Sequence, residues 1–138
     1  MVFKTKVDFF YKLVVVFVFL LFSFVFYSIN FKKDLFGFYF ILGIEILILS
    51  FFIGSAFLTK FIITSTDLIC VTLLWKKIIP LNSIRKVEKQ TGLFAGWKIS
   101  TAYKGVIIHY NKYDEFLISP DKELIFISEI NNRIQEFL

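Results

Sequence analysis

Residues 13–29 read LVVVFVFLLFSFVFYSI, and residues 35–59 read LFGFYFILGIEILILSFFIGSAFLT. These two apolar runs contain a single acidic or basic side chain, Glu45. A helix needs roughly 20 apolar residues to cross a hydrocarbon core of about 30 Å, and both runs approach or exceed this length. The sequence therefore predicts two membrane-spanning helices, at about residues 11–30 and 35–59, joined by a short loop.

The composition agrees with a membrane anchor. Of the 138 residues, 57% are hydrophobic, which is more apolar surface than a globular domain of this length can bury. Lys4, Lys6 and Lys12 precede the first run, as basic residues do in a secretory signal, but no small-x-small cleavage site follows it. We therefore expect an uncleaved anchor.

Lysines flank the two predicted helices unevenly. The outer ends carry Lys4, Lys6, Lys12, Lys60, Lys76 and Lys77, whereas the loop carries Lys32 and Lys33. Lysine and arginine are enriched in the cytoplasmic segments of membrane proteins. We expect a multi-pass protein of the cytoplasmic (inner) membrane with both termini in the cytoplasm.

From residue 60 onward the sequence changes to short segments rich in β-branched and aromatic residues, separated by turn residues. This pattern is typical of antiparallel strands. We predict about six strands, at residues 61–64, 68–75, 84–89, 97–102, 106–110 and 115–118, with residues 77–80 either extending or following the hairpin formed by the first two.

The last segment predicts an amphipathic helix. Ser119 is a favourable N-cap, and Pro120 fits the first helical position, where no amide donor is needed. Apolar residues then recur at intervals of three and four, which predicts one buried face; they are Leu124, Ile127, Ile130, Ile134 and Phe137. The whole sequence predicts an α+β membrane protein, with a transmembrane helical hairpin in residues 1–59 and a small antiparallel β-barrel or sandwich with a C-terminal helix in residues 60–138.

Three phrases of the second half carry a family resemblance: IPLNSIRKV at residues 79–87, WKIS at 97–100 leading to IHY at 108–110, and ISPDKE at 118–123 followed by FI. They resemble the bacterial pleckstrin-homology-like (PH-like) family, in particular its YyaB-like group of small membrane-anchored proteins. Typical members carry an acidic–basic pair that residues 100–105 lack, so no role of that pair is carried over. The resemblance implies a PH-like barrel with a C-terminal helix and no enzymatic activity, and, since some relatives confer immunity to a bacteriocin, it admits an immunity or envelope-defence role.

The residues that carry most enzymatic and metal chemistry are scarce. The single cysteine, Cys70, excludes an internal disulfide and a multi-cysteine zinc site, and its apolar neighbours predict a buried structural thiol. The single histidine, His109, alternates with its neighbours on a strand and is interpreted as structural. We expect no catalytic residues, no metal and no cofactor, hence no enzyme. Without a basic stripe interleaved with exposed aromatic residues, we also expect no nucleic-acid partner.

Glu45 is unexpected, because a carboxylate near the bilayer centre costs a few kcal/mol and such groups usually face a partner or a cavity. One interpretation is a neutral carboxyl group that bonds across the hairpin to Ser23, or to a second copy of the chain. The other is a proton or ion pathway, which makes a small oligomeric transport or channel component the alternative function. Ser50 and Gly54 form a small-xxx-small pair that favours helix contact.

Basic residues of the second half form a candidate membrane or partner surface: Lys76, Lys77, Arg85, Lys86, Lys89 and Lys98. Each contributes roughly 1 kcal/mol near anionic lipid. In the eukaryotic pleckstrin-homology proteins that this domain resembles, inositol-lipid recognition relies on basic residues around the first hairpin. The predicted first turn, at 65–67, has no basic residue, so the resemblance disfavours a specific inositol-lipid site. We expect a membrane-tethered binding module at the cytoplasmic face, whose partners are membrane lipids, a membrane or cytoplasmic protein, or a second copy of the chain.

Overall fold

The computed structural model describes residues 1–28 and 35–136. Two long helices lie near the N-terminus, α1 at Phe9–Ser28 and α2 at Leu35–Leu58. Both are long and apolar enough to cross a membrane, as predicted. The loop predicted between them lies outside the described residues.

These two helices expose most of their apolar side chains. No residue of α1 is buried, and Glu45 is the one buried residue of α2. Exposed apolar area is unfavourable in water, at about 25 cal/mol per Å², whereas lipid removes that penalty. The two helices therefore indicate a membrane anchor.

Eight strands in the described part of the chain form two sheets. The first sheet has the antiparallel order β1-β2-β3-β4 and consists of Val2–Lys4, Lys60–Ile63, Asp67–Val71 and Lys76–Pro80. The second has the order β5-β7-β8-β6 and consists of β5 (Ile84–Lys89), β7 (Val106–Tyr110), β8 (Asp114–Ile118) and β6 (Trp97–Ile99). Strand β6 pairs in parallel with β8, and the other pairs of this sheet are antiparallel.

Strand β1 is additional to the six predicted, β4 contains residues 77–80, which were expected to extend or follow the first hairpin, and two predicted strands are shorter. The strand expected at 68–75 ends at Val71, because the amide of Thr72 closes a turn by donating to the carbonyl of Trp75 at 2.9 Å. The strand expected at 97–102 ends at Ile99, where the Ser100 hydroxyl donates to the Ala102 carbonyl at 2.7 Å. In both places a local turn hydrogen bond replaces the hydrogen bonds between neighbouring strands.

The two sheets pack around one apolar core. Phe61 and Leu68 of the first sheet and Ile108 and Phe116 of the second are fully buried there. Full burial of such a side chain stabilises the fold by about 1.5–3 kcal/mol. The predicted PH-like fold is confirmed in its sandwich form, since the sheets do not join into a closed barrel among the described residues.

Helix α3, at Glu123–Gln135, packs on β5 and on a 3₁₀ turn at Leu81–Ser83, and its Phe126 and Ile130 are buried in the core. The predicted start was wrong: Ser119 does not cap this helix, because its hydroxyl lies in a buried cluster described below. Pro120 is not at the first helical position, since it forms a β-bridge with Thr5.

The buried face of α3 also differs from the face predicted from the sequence. Leu124 is 76% exposed, and Glu123 and Phe126 are buried in its place beside Ile130. Ile127 and Ile134 pack partly against the core as expected, and Phe137 lies outside the described residues. Glu123 lies on the buried face because its carboxylate pairs with Lys6 and Lys89.

Candidate functional site

The most informative region is the junction between the ends of α1 and α2 and the sandwich, which we call the root. Strand β1 precedes α1, and it pairs with β2, which begins just after α2. The amide of Lys6 then donates to the Ser119 carbonyl at 2.7 Å, and the amide of Asp121 donates to the Lys4 carbonyl at 2.9 Å. The N-terminal segment is therefore hydrogen-bonded on both sides into the domain.

Three buried hydroxyl groups, of Thr5, Thr101 and Ser119, form a cluster at the root. Thr5 Oγ1 lies 2.7 Å from Thr101 Oγ1 and 3.2 Å from Ser119 Oγ, and Thr101 Oγ1 donates to the Lys6 carbonyl at 2.7 Å. Each hydroxyl has one proton, so a consistent chain of donation runs from Ser119 through Thr5 and Thr101 to Lys6. This hydroxyl cluster contains no base to activate a nucleophile, and its role is to join segments distant in sequence.

The start of α1 is also tied to the domain. Asp8 accepts a hydrogen bond from the Tyr11 amide at 2.9 Å with one oxygen and from the Tyr103 amide at 2.6 Å with the other. The first is the N-cap contact of α1, and the second joins the helix to the segment after β6. The ring of Tyr103 contacts Phe10, with centroids 5.6 Å apart.

Two open grooves flank the root. One, of about 220 Å³, lies between α2, the β3–β4 turn and β6, and the other, of about 140 Å³, lies beside α1. Lys98, Ser100 and Thr101 line both grooves, so this segment crosses the root from one helix to the other. No acidic side chain lines either groove among the described residues.

The β3–β4 turn and β6 form an apolar surface at this site, which we call the tryptophan patch: Leu73, Leu74, Trp75 and Trp97. The rings of Trp75 and Trp97 meet edge to face, with centroids 6.3 Å apart. Leu73 packs over Gly54 of α2, where an added Cβ would lie 3.2 Å from Leu73 Cδ2. Gly54 therefore serves contact with the domain, which the small-xxx-small pattern did not anticipate.

The six predicted basic residues have different environments. Lys86 forms an ion pair with Glu88, and Lys89 lies 3.1 Å from Glu123. Lys77 donates to the Tyr110 hydroxyl at 2.7 Å, and its ammonium group lies over the Tyr110 and Phe116 rings.

The other three basic candidates, Lys76, Arg85 and Lys98, are exposed and have no ion pair within the described ranges. Lys98 lines the root grooves, and Lys76 directly follows Trp75. That all six residues form one membrane or partner surface stays a prediction.

His109 lies in a row of charged side chains across β5, β7 and β8. Its Nε2 lies 2.9 Å from Glu88 Oε1, and its Nδ1 lies 3.1 Å from Glu115 Oε1. Hydrogen bonds from Lys86 and then from His109 hold the pKa of Glu88 below its ordinary value. Because both ring nitrogens face carboxylates, the imidazole has no nucleophile to activate in this arrangement.

Glu123 forms a second charged cluster at the root. It is nearly buried and lies 2.9 Å from Lys6 Nζ and 3.1 Å from Lys89 Nζ. Burial alone raises the pKa of Glu123, but hydrogen bonds from the two lysines and their positive charges outweigh it and leave the pKa below its ordinary value. This carboxylate links the N-terminal segment, β5 and α3.

Cys70 is fully buried in β3, as predicted. Burial raises the pKa of its thiol to about 12, with a smaller opposing effect from Lys77. A thiol in this state is not a nucleophile at neutral pH. Within residues 1–28 and 35–136, no three His, Cys, Asp or Glu side chains are grouped as metal ligands.

Glu45 and Ser23 do not form the predicted hydrogen bond. The Ser23 hydroxyl donates instead to the Phe19 carbonyl one turn earlier at 2.9 Å, as serines in apolar helices commonly do. Glu45 is 7% exposed and is the one buried residue of α2. Whether a second copy of the chain supplies its partner stays a prediction.

The comparison with known families agrees with this geometry. The family model described as Bacterial PH domain matches residues 59–134, more than half of the chain. The chain belongs to the bacterial PH domain family. No curated protein and no solved structure matches it.

The family match confirms the resemblance carried by the three sequence phrases. Much of the root of this bacterial PH domain was not predicted, because the hydroxyl cluster is assembled from positions 18 to 114 residues apart with no characteristic spacing. Two patterns in the sequence do point to parts of the root. Asp8 before an apolar run is an N-cap pattern, and each tryptophan of the chain is followed by a lysine, a pairing typical of membrane interfaces.

Proposed function

We propose that this protein is a membrane-tethered PH-like binding module without enzymatic activity, held at the cytoplasmic face of the cell membrane. It binds a protein partner, a second copy of itself, or lipid headgroups. A bacterial PH domain supports the binding-module part of the proposal. Use in immunity or envelope defence is a narrower form of the proposal, taken from the family resemblance alone.

The observation that carries the proposal is the pairing of β1 with β2. Val2 pairs with Ile62 and Lys4 pairs with Lys60, although α1 and α2 separate the two strands. Both outer ends of the helical hairpin therefore enter the same sheet. A domain held at two points keeps one orientation relative to its anchor, unlike a domain on a single flexible linker.

A fixed orientation suits a module that presents one side to the membrane and another to a partner. The root is the side next to the helices. The β5-β7-β8 face, with Lys86, His109 and Glu115, carries charged groups that are partly exposed. Mixed charge of this kind favours recognition of a protein surface over non-specific attraction.

The test is photo-crosslinking of the full chain in native membranes. Photo-reactive probes replace Arg85 and Lys112, which are both exposed and lie next to the charged face. Neither residue forms an ion pair among the described residues, so its replacement leaves the contacts of Lys86, Glu88 and His109 intact. A control probe replaces Lys98 at the root. We expect a discrete protein or self-adduct from the first two sites and lipid adducts from the third.

Lipid adducts from all three sites would favour headgroup binding over a protein partner. Release of the chain from membranes by alkaline carbonate would contradict the tether. Turnover of any substrate that is sensitive to His109→Ala would contradict the non-enzymatic assignment.

A second candidate function is a small oligomeric transport or channel component. The burial of Glu45 inside an otherwise lipid-compatible hairpin favours it. This candidate predicts that Glu45→Gln abolishes function while deletion of residues 60–138 only weakens it. The binding module predicts the opposite order of effects.

A further inference from the structure

We propose that the tryptophan patch enters the interfacial layer of an anionic lipid bilayer, so that the domain itself, and not only its helices, contacts the membrane. This inference rests on the proposed function, because it requires the hairpin to be inserted. It names one ligand class for the root: the surface of an anionic membrane.

The position of the patch is the first argument. Leu73 packs over Gly54, which lies four residues before Leu58 at the end of α2. At 1.5 Å per residue, Gly54 is about 6 Å inside the helix end. The β3–β4 turn therefore extends back along α2, to the level at which a spanning helix passes through the headgroup layer.

The exposure of the patch is the second argument. Leu74 is 74% exposed and Trp97 is 70% exposed, although both are among the most apolar side chains of the domain. Trp75 packs against both Trp97 and Phe116, which holds the patch on the core of the sandwich. Tryptophan is enriched at membrane interfaces, where its apolar ring and polar N–H both find suitable surroundings.

The charge around the patch is the third argument, and it identifies the kind of lipid. Lys76 and Lys98 directly follow the two tryptophans, and neither forms an ion pair within the described ranges. Lys6, Lys86 and Lys89, by contrast, are paired with carboxylates. Lysines beside interfacial aromatic residues place their ammonium groups among anionic headgroups.

The chain supplies its own probe for this inference, because its two tryptophans, Trp75 and Trp97, both lie in the patch. The full chain is reconstituted in vesicles of phosphatidylcholine and phosphatidylglycerol, and tryptophan fluorescence is quenched by lipids brominated near the headgroup or by aqueous iodide. We expect strong quenching by the brominated lipid and weak quenching by iodide. Trp75→Phe and Trp97→Phe, each with one remaining tryptophan, should both retain this behaviour.

Two further variants test whether the patch itself makes the contact. Leu74→Asp should lower quenching by brominated lipid and raise quenching by iodide, each several-fold. Tyr113→Asp is the matched control, because Tyr113 is 82% exposed in the β7–β8 turn and its described ring contact is with Lys112, not with a helix. The control should behave as the unmodified chain does.

The outcomes separate the inference from the proposed function. Strong iodide quenching without lipid quenching, in a chain that resists carbonate extraction, would overturn the inference and leave the tether intact. Protection from both quenchers would also overturn it, since another protein surface would then cover the patch. Release of the chain by carbonate would overturn the tether and the inference together.

Discussion

Gly105 shows how one residue sets the spacing of the second sheet. It is buried just before β7, where a Cβ atom would lie 2.1 Å from the Ile118 carbonyl oxygen. The side-chain oxygen of Gln90 accepts a hydrogen bond from the backbone amide of Gly105 at 3.2 Å, and the backbone amide of Gln90 donates to the Gly105 carbonyl at 2.8 Å. A side chain at this position must displace backbone rather than a flexible neighbour.

We therefore predict that Gly105→Ala destabilises the domain by about 1–3 kcal/mol, the usual cost of overpacking. Gly92→Ala is the matched control, because no atom lies within contact distance of its added Cβ. The measurement is the midpoint of chemical unfolding of the full chain in detergent. Equal effects of the two substitutions would refute the close approach of Gly105 to β8.

Glu123 gives a prediction about pH. Its folded-state pKa lies below the ordinary value of 4.5, so its stabilising effect is present above that pH and is lost as the pH falls through the folded-state pKa. Glu123→Gln should cost about 1–2 kcal/mol at pH 7, less than a fully buried pair, because both lysines remain partly solvated.

The difference in unfolding free energy between the unmodified chain and Glu123→Gln should shrink as the pH falls below 4.5 and through the lower folded-state pKa of Glu123. Glu129→Gln is a control on the same helix, where the single ion pair with Arg133 is partly exposed and worth at most about 0.5 kcal/mol. A difference independent of pH would show that the carboxylate charge of Glu123 does not stabilise the domain.

Residue environments were predictable where the local sequence determines them. Cys70 lies between apolar β-branched residues, and that pattern alone indicated its burial. Ser119 is a residue type that favours the N-cap, but its hydroxyl lies 3.2 Å from the Thr5 hydroxyl and accepts a hydrogen bond from the backbone amide of Thr101 at 3.2 Å. No sequence spacing reveals that competition, because Thr5 lies more than a hundred residues away.

Among the secondary-structure elements, β1 most changes the interpretation of how the domain is joined to its helices. Phe3 is buried, and its ring meets Phe126 of α3 edge to face, with centroids 5.1 Å apart. The strand is only three residues long, and its partner β2 lies beyond both apolar helices. Periodicity within so short a segment carries no signal, so the strand could not be predicted from sequence.

We predict that Phe3→Ala destabilises the domain by about 3 kcal/mol, the cost of removing a buried aromatic ring. Val2→Ala should change stability by less than about 0.5 kcal/mol, because Val2 points outward from the same strand. Thermal unfolding of both variants in detergent checks this. A Phe3→Ala variant as stable as the control would mean that β1 is not part of the folded domain.

The helices and the longer strands were predicted well because their hydrophobic patterns are long. Sequences of 20 and 24 residues with almost no charge leave few alternatives to α1 and α2. Strand ends were less accurate, since the side chains of Thr72 and Ser100 end β3 and β6 through local turns. The order of strands within the sheets was not predicted, because pairing depends on contacts distant in sequence.

For the whole molecule, the central claim is that one compact unit lies at the cytoplasmic membrane surface with both ends of its helical hairpin anchored in it. The lysine distribution predicts that the domain lies on the cytoplasmic side of the membrane. The β1–β2 pairing predicts that the start of α1 and the end of α2 lie on that same side.

The most direct test is labelling of single introduced cysteines in intact cells with a membrane-impermeant maleimide. Native Cys70 serves as an internal control, because its buried thiol, with a pKa of about 12, stays unreactive in the folded chain. The two sites are Lys33→Cys, between the predicted helices, and Lys112→Cys, on the exposed β7–β8 turn. The account predicts labelling of Lys33→Cys in intact cells and labelling of Lys112→Cys only after the membrane is permeabilised; the reverse pattern, or labelling of both sites from the same side, would contradict it.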